Sequence, residues 1–180
     1  MEPDGRTPGE ILAEAASYYW EVAEVDIDKV DPDDHVAVLK AAFTESHCDD
    51  LAWMINRMTG WPTVRASYQM PGWGWGHHTM VRAPDGRLLD VRGWADEATA
   101  ARRCCRRKDV LVTFSECEPK EPQGMWADDE GHVQEAARLA AVVRSLPHAP
   151  FRSKAFQEIS MRPLEGVDVP LPEDGPAPGP

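Results

Sequence analysis

The feature that most constrains the fold is the signal for a β-hairpin between His77 and Val91. The strand-like segment HHTMVRA runs into Pro84-Asp85-Gly86, and the strand-like segment RLLDV follows the glycine. Proline presets one backbone angle of a tight turn, aspartate hydrogen-bonds the turn backbone, and glycine accepts a positive φ. The sequence therefore predicts two antiparallel strands that are joined by a short turn.

The pairing of these two strands decides which histidine meets an aspartate. If Ala83 lies opposite Arg87, Asp90 is diagonal to His78 on one face of the sheet. A slip of one residue would bring Asp90 to the face of His77 instead, because successive side chains alternate between the faces. We expect the pairing that joins Asp90 to His78, and the other pairing stays open at this point.

A cysteine lies at the predicted start of a helix upstream of the hairpin. Ser46 is a suitable N-cap and Asp49 stands three residues later, so we expect a capping box. Cys48 then lies in the first turn, where free N–H groups and the helix dipole favour a thiolate. Gly60 is expected to end this helix. The alternative is that Cys48 is a small buried residue that fills a gap in the core.

The rest of the chain predicts a mixture of helices and strands. Helical spacing of apolar residues predicts four further helices, at 7–25, after a cap at Asp31, at 94–108 and at 129–144. Alternating residues predict two further strands, at 61–68 and 109–114. With 180 residues the chain suits one domain, which we place at 1–162. The acidic, proline-rich segment 163–180 is expected to be a flexible tail, because it has too little apolar surface to fold.

Charge and composition limit the classes of partner. The formal net charge of −12 argues against nucleic-acid binding through phosphate contacts, which need clusters of lysine and arginine. No run approaches the roughly 18 apolar residues of a membrane span, and the N-terminus lacks the pattern of a signal peptide. We therefore expect a cytoplasmic protein with reduced cysteines and no membrane contact.

A zinc site is the alternative use of the remaining cysteines. Cys104 or Cys105, together with Cys117 and His132, offers a possible set of metal ligands. These residues lack the closely spaced pairs that are typical of zinc motifs. We therefore predict neither a metal nor a cofactor.

A segment rich in glycine and tryptophan, at 69–76, precedes the hairpin and is expected to be a loop. Trp73 and Trp75 would offer flat apolar faces to a substrate, and the glycines would allow the backbone to move. With His77 and Asp49 they complete the set of residues that we expect to bind substrate. The alternative is a loop that the indoles only anchor to the protein surface.

Two motifs, HCDDLAWMINRMTGWP and HTMVRAPDGRLLDVRG, resemble the papain-like cysteine hydrolase superfamily in its compact bacterial and phage form. NlpC-type amidases and transglutaminase-like enzymes share the order of helix cysteine, strand histidine and next-strand aspartate. The resemblance implies an α+β fold of papain-like type, in which N-terminal helices and the cysteine-bearing helix pack on a small antiparallel sheet. It implies Cys48 as nucleophile, His78 as general base and Asp90 as the residue that orients the base.

The resemblance leaves the oxyanion donors open, because the chain has no clear glutamine upstream of the cysteine. We expect the N–H of Cys48 and a loop amide near Thr44 or Glu45 to serve. The acids Asp49 and Asp50 would oppose a thiolate and disfavour an anionic substrate.

These residues predict a thiol-dependent hydrolase or acyl transferase that acts on an amide or ester bond of a protein or peptide-like substrate. A peptidase, an amidase and a glutamine deamidase all fit this chemistry. The alternative is a non-catalytic acidic binding or inhibitor protein, of phage or effector type, that keeps the papain-like scaffold.

Overall fold

The computed structural model describes residues 7–23, 29–122 and 129–160, with the backbone alone at 129–135. Among the described residues, three helices precede the strands in sequence: α1 (Pro8–Val22), α2 (His35–Glu45) and α3 (Cys48–Thr59). The strands are β1 (Thr63–Met70), β2 (Gly74–Arg82), β3 (Leu88–Asp90), β4 (Gly93–Ala95) and β5 (Val112–Cys117). The remaining helices are α4 (Glu97–Cys104), α5 (Asp129–Ser145), α6 (Ala149–Arg152) and α7 (Lys154–Ser160).

The five strands form one antiparallel sheet in the order β4-β3-β2-β1-β5. The hairpin between β2 and β3 has the expected register, because the N–H of Ala83 donates to the carbonyl of Arg87 at 2.8 Å. Val81 then pairs with Leu89. The register prediction is confirmed, and it places Asp90 on the face of the sheet that carries His78.

The sheet divides the apolar core into two parts. The larger part lies on one face, where all the helices except α4 pack around Val81 and Leu89 of the sheet. The smaller part lies on the opposite face and includes α4, and its buried members are Val64, Ala66, Met80, Leu88, Ala95 and Ala100. His78 and Asp90 share the face of this smaller part, because side chains on a strand alternate. The protein therefore has an α+β fold, and His78 and Asp90 lie beside the smaller part of its core.

The first helix begins as Thr7-Pro8-Gly9-Glu10 predicts, because a threonine followed three residues later by a glutamate is the pattern of a capping box. The hydroxyl of Thr7 accepts a hydrogen bond from the N–H of Glu10, and the Glu10 carboxylate accepts one from the N–H of Thr7. Pro8 occupies the first helical position, where its missing N–H has no cost. The helix ends at Val22, and the predicted extension to residue 25 runs beyond the described residues.

The cap of the second helix was predicted wrongly. Asp34, rather than Asp31, caps α2, and its carboxylate accepts a hydrogen bond from the N–H of Ala37 at 3.0 Å. Asp31 instead accepts from the N–H of Asp33 at 3.0 Å within a turn that precedes the helix. Three acids and a proline in a row, Asp31 to Asp34, offer several equivalent caps, and the turn at Asp31 removes the first of them.

The predicted helix at 94–108 is shorter in the structure. Trp94 belongs to β4 and pairs with Leu89, so the chain adds a fourth strand before the helix begins. Asp96 then caps α4 by accepting from the N–H of Thr99 at 2.6 Å. Cys105 has extended backbone angles and ends the helix.

The predicted loop at 69–76 is mostly strand. β1 continues to Met70 and β2 starts at Gly74, so only three residues form the turn between them. Gly72 and Gly74 have φ values of 81° and 90°, which suit glycine and close the turn tightly. The predicted strand at 109–114 also moves, because β5 starts at Val112.

The end of the described chain packs on the larger core. Phe151 and Phe156, in α6 and α7, are both buried and contact each other edge to face. No helix in the described ranges is both long and apolar enough to cross a membrane. The segment 163–180, for which we predict a flexible tail, lies outside the described residues.

Candidate active site

Cys48 is the first residue of α3, and His47 precedes it as the N-cap. The predicted capping box of Ser46 and Asp49 is wrong. Only two residues separate α2 from α3, so Ser46 serves as the C-cap of α2 and its hydroxyl donates to the carbonyl of Ala23. The side chain of His47 makes no capping hydrogen bond either. The N–H groups at the start of α3 therefore lack intrahelical acceptors and side-chain caps.

The edge of the sheet holds the sulfur of Cys48. The N–H of Arg82 donates to the carbonyl of Pro62, just before β1. Successive N–H groups along a strand point to opposite edges, so the N–H of Thr79, three residues earlier, points to the other edge of β2. β3 pairs only with Val81 and Arg82 and does not reach Thr79. The N–H of Thr79 donates to the Cys48 sulfur at 3.4 Å instead. The start of α3 thus fills the place next to β2 that a longer β3 would occupy.

His78 connects the cysteine to the aspartate. Its Nε2 lies 2.9 Å from Oδ2 of Asp90, and both side chains are buried. The next residue on β2, Thr79, donates its N–H to the Cys48 sulfur, so His78 and Cys48 are close neighbours. An ionised Asp90 can only accept a hydrogen bond, so the neutral ring carries its proton on Nε2. The lone pair of Nδ1 is then the acceptor available to the thiol.

Arg92 holds Asp90 in its ionised form. Nε and Nη2 of Arg92 donate to Oδ2 at 2.8 and 2.5 Å, and the backbone N–H of Arg92 donates to Oδ1 at 2.8 Å. Arg103 lies further away, with Nη1 at 3.8 Å from Oδ1. Burial favours the neutral acid, but the bond from His78 and the charge and bonds of Arg92 outweigh it, and the pKa of Asp90 falls to about 2.

The environment of His78 favours its protonated form. Burial alone would lower the pKa of His78, and it is the largest single effect on the ring. The hydrogen bonds to Asp90 and Cys48, with the charges of the same two groups, outweigh burial and raise the pKa above its ordinary value. His78 is therefore well suited to take a proton from a neighbouring thiol.

The other acids beside the cysteine point elsewhere. Oδ2 of Asp50 accepts from Nδ1 of His47 at 2.9 Å and from the hydroxyl of Tyr19 at 3.3 Å. This places Asp50 against α1 in a buried network. Asp49 is half-buried, and its Oδ1 has no hydrogen-bond partner in the described part of the chain.

The predicted oxyanion amides near Thr44 and Glu45 are not in a loop. Both residues lie in the last turn of α2, where a backbone N–H bonds to the carbonyl four residues earlier. The prediction is wrong because α2 continues almost to the cysteine. The N–H groups at the start of α3, including that of Cys48, have no such acceptor within their own helix.

The structure separates the four predicted substrate-binding residues. Trp73 and Trp75 are 88% and 73% exposed, and they line a cleft of about 450 Å³ together with Tyr68. His77 is exposed on the face of β2 opposite to His78, and neither His77 nor Asp49 lines this cleft. A second cavity, of about 320 Å³, lies between α1 and α5 and contains none of the predicted site residues.

Arg92, Arg103 and Thr79 are site residues that the sequence analysis missed. An aspartate followed two residues later by an arginine is the local signal for the Arg92 contact, since the Arg92 N–H closes a turn on the Asp90 carboxylate. The Arg103 contact crosses from α4 and has no local signal.

All four cysteines are free thiols. Within the described ranges no group of three or more histidine, cysteine, aspartate or glutamate residues is arranged to hold a metal ion. The side chain of His132, the fourth member of the alternative zinc set, lies outside those ranges.

Comparison with known proteins adds no family assignment. The chain has no significant match among protein-family models, curated proteins or solved structures. Function is therefore inferred from the geometry of Cys48, His78 and Asp90, and from the cleft beside them.

Proposed function

We propose that the protein is a thiol-dependent hydrolase or acyl transferase of papain-like type that acts on an amide or ester bond. The observation that carries the proposal is the buried group of Cys48, His78 and Asp90: the Cys48 sulfur accepts from the N–H of Thr79 at 3.4 Å, next to His78, and His78 lies 2.9 Å from Asp90. A nucleophile, a base and a group that orients the base are the three parts of an activated-thiol site. The position of Cys48 at the start of α3 adds N–H donors for an oxyanion.

The chemistry follows from these positions. Nδ1 of His78 takes the thiol proton, and the sulfur of Cys48 attacks the substrate carbonyl carbon while the C=O electron pair moves to oxygen. N–H groups at the start of α3 stabilise that oxygen. The tetrahedral species collapses to a thioester, and His78 gives its proton to the leaving amine or alkoxide.

The second half of the reaction restores the thiol. Water, deprotonated by His78, attacks the thioester carbon, and the sulfur leaves and takes back a proton. With a glutamine side chain as substrate the first leaving group is ammonia and the reaction is deamidation. With an amine in place of water the acyl group is transferred.

The decisive experiment is alkylation by iodoacetamide at neutral pH, followed by mass spectrometry of each cysteine. We expect Cys48 to react at least about tenfold faster than the other three thiols, although it is buried, because it lies at a helix start beside the His78–Asp90 pair. Cys48→Ala should also abolish hydrolysis of activated esters and peptide amides. Cys117→Ala, which removes a thiol from β5, is the matched control and should have no effect on either readout.

Four thiols that react at similar rates would contradict the proposal. So would hydrolysis that persists in Cys48→Ala. An unchanged circular dichroism spectrum and urea midpoint in Cys48→Ala would show that a loss of activity is not a loss of fold.

One observation favours a second candidate, a non-catalytic binding protein on the same scaffold. Trp73 and Trp75 expose large apolar side chains at a cleft, which is typical of binding surfaces in general. A pure binding protein would bind its partner equally well with Cys48 or Ala at position 48. It would show no turnover in the wild type.

A further inference from the structure

The cleft beside the candidate active site is formed by the β1–β2 hairpin. Tyr68 pairs with Gly76, and Ala66 pairs with His78, so Tyr68 and His78 are close neighbours on one face of the sheet. The ring of Tyr68 lies over Gly76, where an added Cβ would be 2.5 Å from Cε2 of the tyrosine. The absence of a side chain at Gly76 therefore lets the ring lie against the strand and form the floor of the cleft.

The opposite wall of the cleft connects to the Asp90 clamp. Cys104, at the end of α4, lines the cleft, and Nη1 of Arg92 donates to the carbonyl of the preceding residue, Arg103, at 3.3 Å. Arg92 in turn donates to Asp90. The cleft therefore ends at the same group of side chains that orients His78, so a chain bound along it leads toward Cys48.

The charge of the cleft is opposite to that of the whole protein. Arg106 and Arg107 line it, and no acidic residue of the described chain does. Arg107 is paired with Asp109 at 2.6 and 3.1 Å, but Arg106 has no acidic partner in the described ranges. A chain with a net charge of −12 thus presents a positive group next to exposed indoles.

We propose that this cleft binds an acidic peptide segment that carries an aromatic side chain, and that this segment is the acyl substrate of Cys48. The inference rests on the proposed function and names the substrate class of that site. The aromatic side chain would stack on Trp73 or Trp75, and a carboxylate next to it would meet Arg106. The expectation that Asp49 and Asp50 disfavour anions does not apply to this cleft, because the Asp50 carboxylate is buried against Tyr19 and His47, and Asp49 does not line the cleft.

The test measures peptide binding to the full chain that carries Cys48→Ala, so that no peptide is cleaved. Two pentapeptides share a central phenylalanine, which two glutamates flank in one and two lysines flank in the other. We expect the acidic peptide to bind about fivefold more tightly at low salt, the scale of one exposed ion pair. The preference should fall at high salt, because exposed charges are screened.

Two charge-reversal variants test whether the preference for the acidic peptide comes from the cleft or from the overall charge of the protein. Arg106→Glu should remove the preference for the acidic peptide. Arg102→Glu makes the same charge change at an exposed residue of α4 that does not line the cleft, and it should keep the preference. Trp75→Ala should weaken the binding of both peptides to a similar extent.

Equal binding of the two peptides would overturn the inference, as would equal loss of the preference in both charge-reversal variants. Tighter binding of a single-stranded oligonucleotide than of the acidic peptide would overturn it too. These outcomes differ from a failure of the proposed function, which the alkylation of Cys48 tests without any peptide. If Cys48 reacts no faster than the other thiols and the acidic peptide still binds more tightly, the cleft is an acidic-peptide binding site in a protein without hydrolysis.

Discussion

Two histidine–aspartate pairs lie on either side of Cys48, and their bonds have the same length. Nδ1 of His47 lies 2.9 Å from Asp50, and Nε2 of His78 lies 2.9 Å from Asp90. The first pair is local: its members are three positions apart in sequence, and their side chains are 26% and 12% exposed. The second joins two strands of the sheet, and its side chains are 5% and 6% exposed.

The difference lies in what surrounds each ring. His47 is the neighbour of Cys48 in sequence, yet its ring packs against Tyr19 with centroids 5.2 Å apart, and it bonds Asp50. His78 is 30 positions from Cys48 in sequence, yet the residue next to it, Thr79, donates its N–H to the Cys48 sulfur. A short histidine–carboxylate distance alone therefore does not identify a base. A base is identified by the group that its other ring nitrogen faces.

The largest effect is expected on the reactivity of Cys48. In the proposed mechanism His78 accepts the thiol proton, so His78→Ala should lower turnover, and the alkylation rate of Cys48, by about 10² or more. His47→Ala should change both rates by less than about threefold, since its ring bonds Asp50 rather than the sulfur. Turnover and alkylation rates measured in both variants test this difference between His78 and His47, and equal losses would contradict it.

The next effect is on stability, and it compares the two acids. Asp90→Asn leaves the half-buried Arg92 without its carboxylate, so we expect a loss of about 3 kcal/mol in the free energy of unfolding. Asp50→Asn keeps an oxygen that can accept from Tyr19 and should cost about 1 kcal/mol. Urea denaturation at pH 7 measures both values. A larger loss in Asp50→Asn would contradict the assignment of the main charge network to Asp90.

The smallest effect is the acid dependence of that stability. The pKa of Asp90 falls from 3.8 to about 2 on folding, so its contribution is complete above pH 4 and is lost as the pH falls toward 2. The whole contribution is about 2 kcal/mol by linkage. Asp90→Asn should remove this part of the acid profile, and Asp50→Asn should keep it. Urea midpoints between pH 5 and 2 check this, and parallel profiles of Asp90→Asn and wild type would refute it.

Local sequence signals predicted the parts of this protein that depend on a few adjacent residues. Pro84-Asp85-Gly86 predicted the turn and the register of its strands, Thr7 and Glu10 predicted a capping box, and Gly60 predicted a helix end with φ of 71°. Each of these depends on backbone angles and hydrogen bonds within a few residues of the signal. That is why an isolated stretch of sequence is enough to determine them.

Local sequence signals gave wrong predictions where a neighbouring helix or strand uses the same residues. Ser46 has the right side chain for a cap of α3, but α2 ends there and uses it. Trp94 suits a helix by composition, and it joins the sheet because Leu89 offers an edge to pair with. The glycine and tryptophan segment reads as a loop, yet pairing with β1 draws Gly74 and Trp75 into a strand.

By itself the sequence determined a helix with a cysteine near its start, and a hairpin that carries a histidine and an aspartate on one face. Only the tertiary structure decided that these parts meet. β3 is too short to cover Thr79, so the start of α3 takes its place and brings Cys48 to His78. The tertiary structure also brought Arg103 to Asp90 and arranged the cleft around Tyr68. Contacts between distant residues depend on how whole elements pack, and no local pattern contains that information.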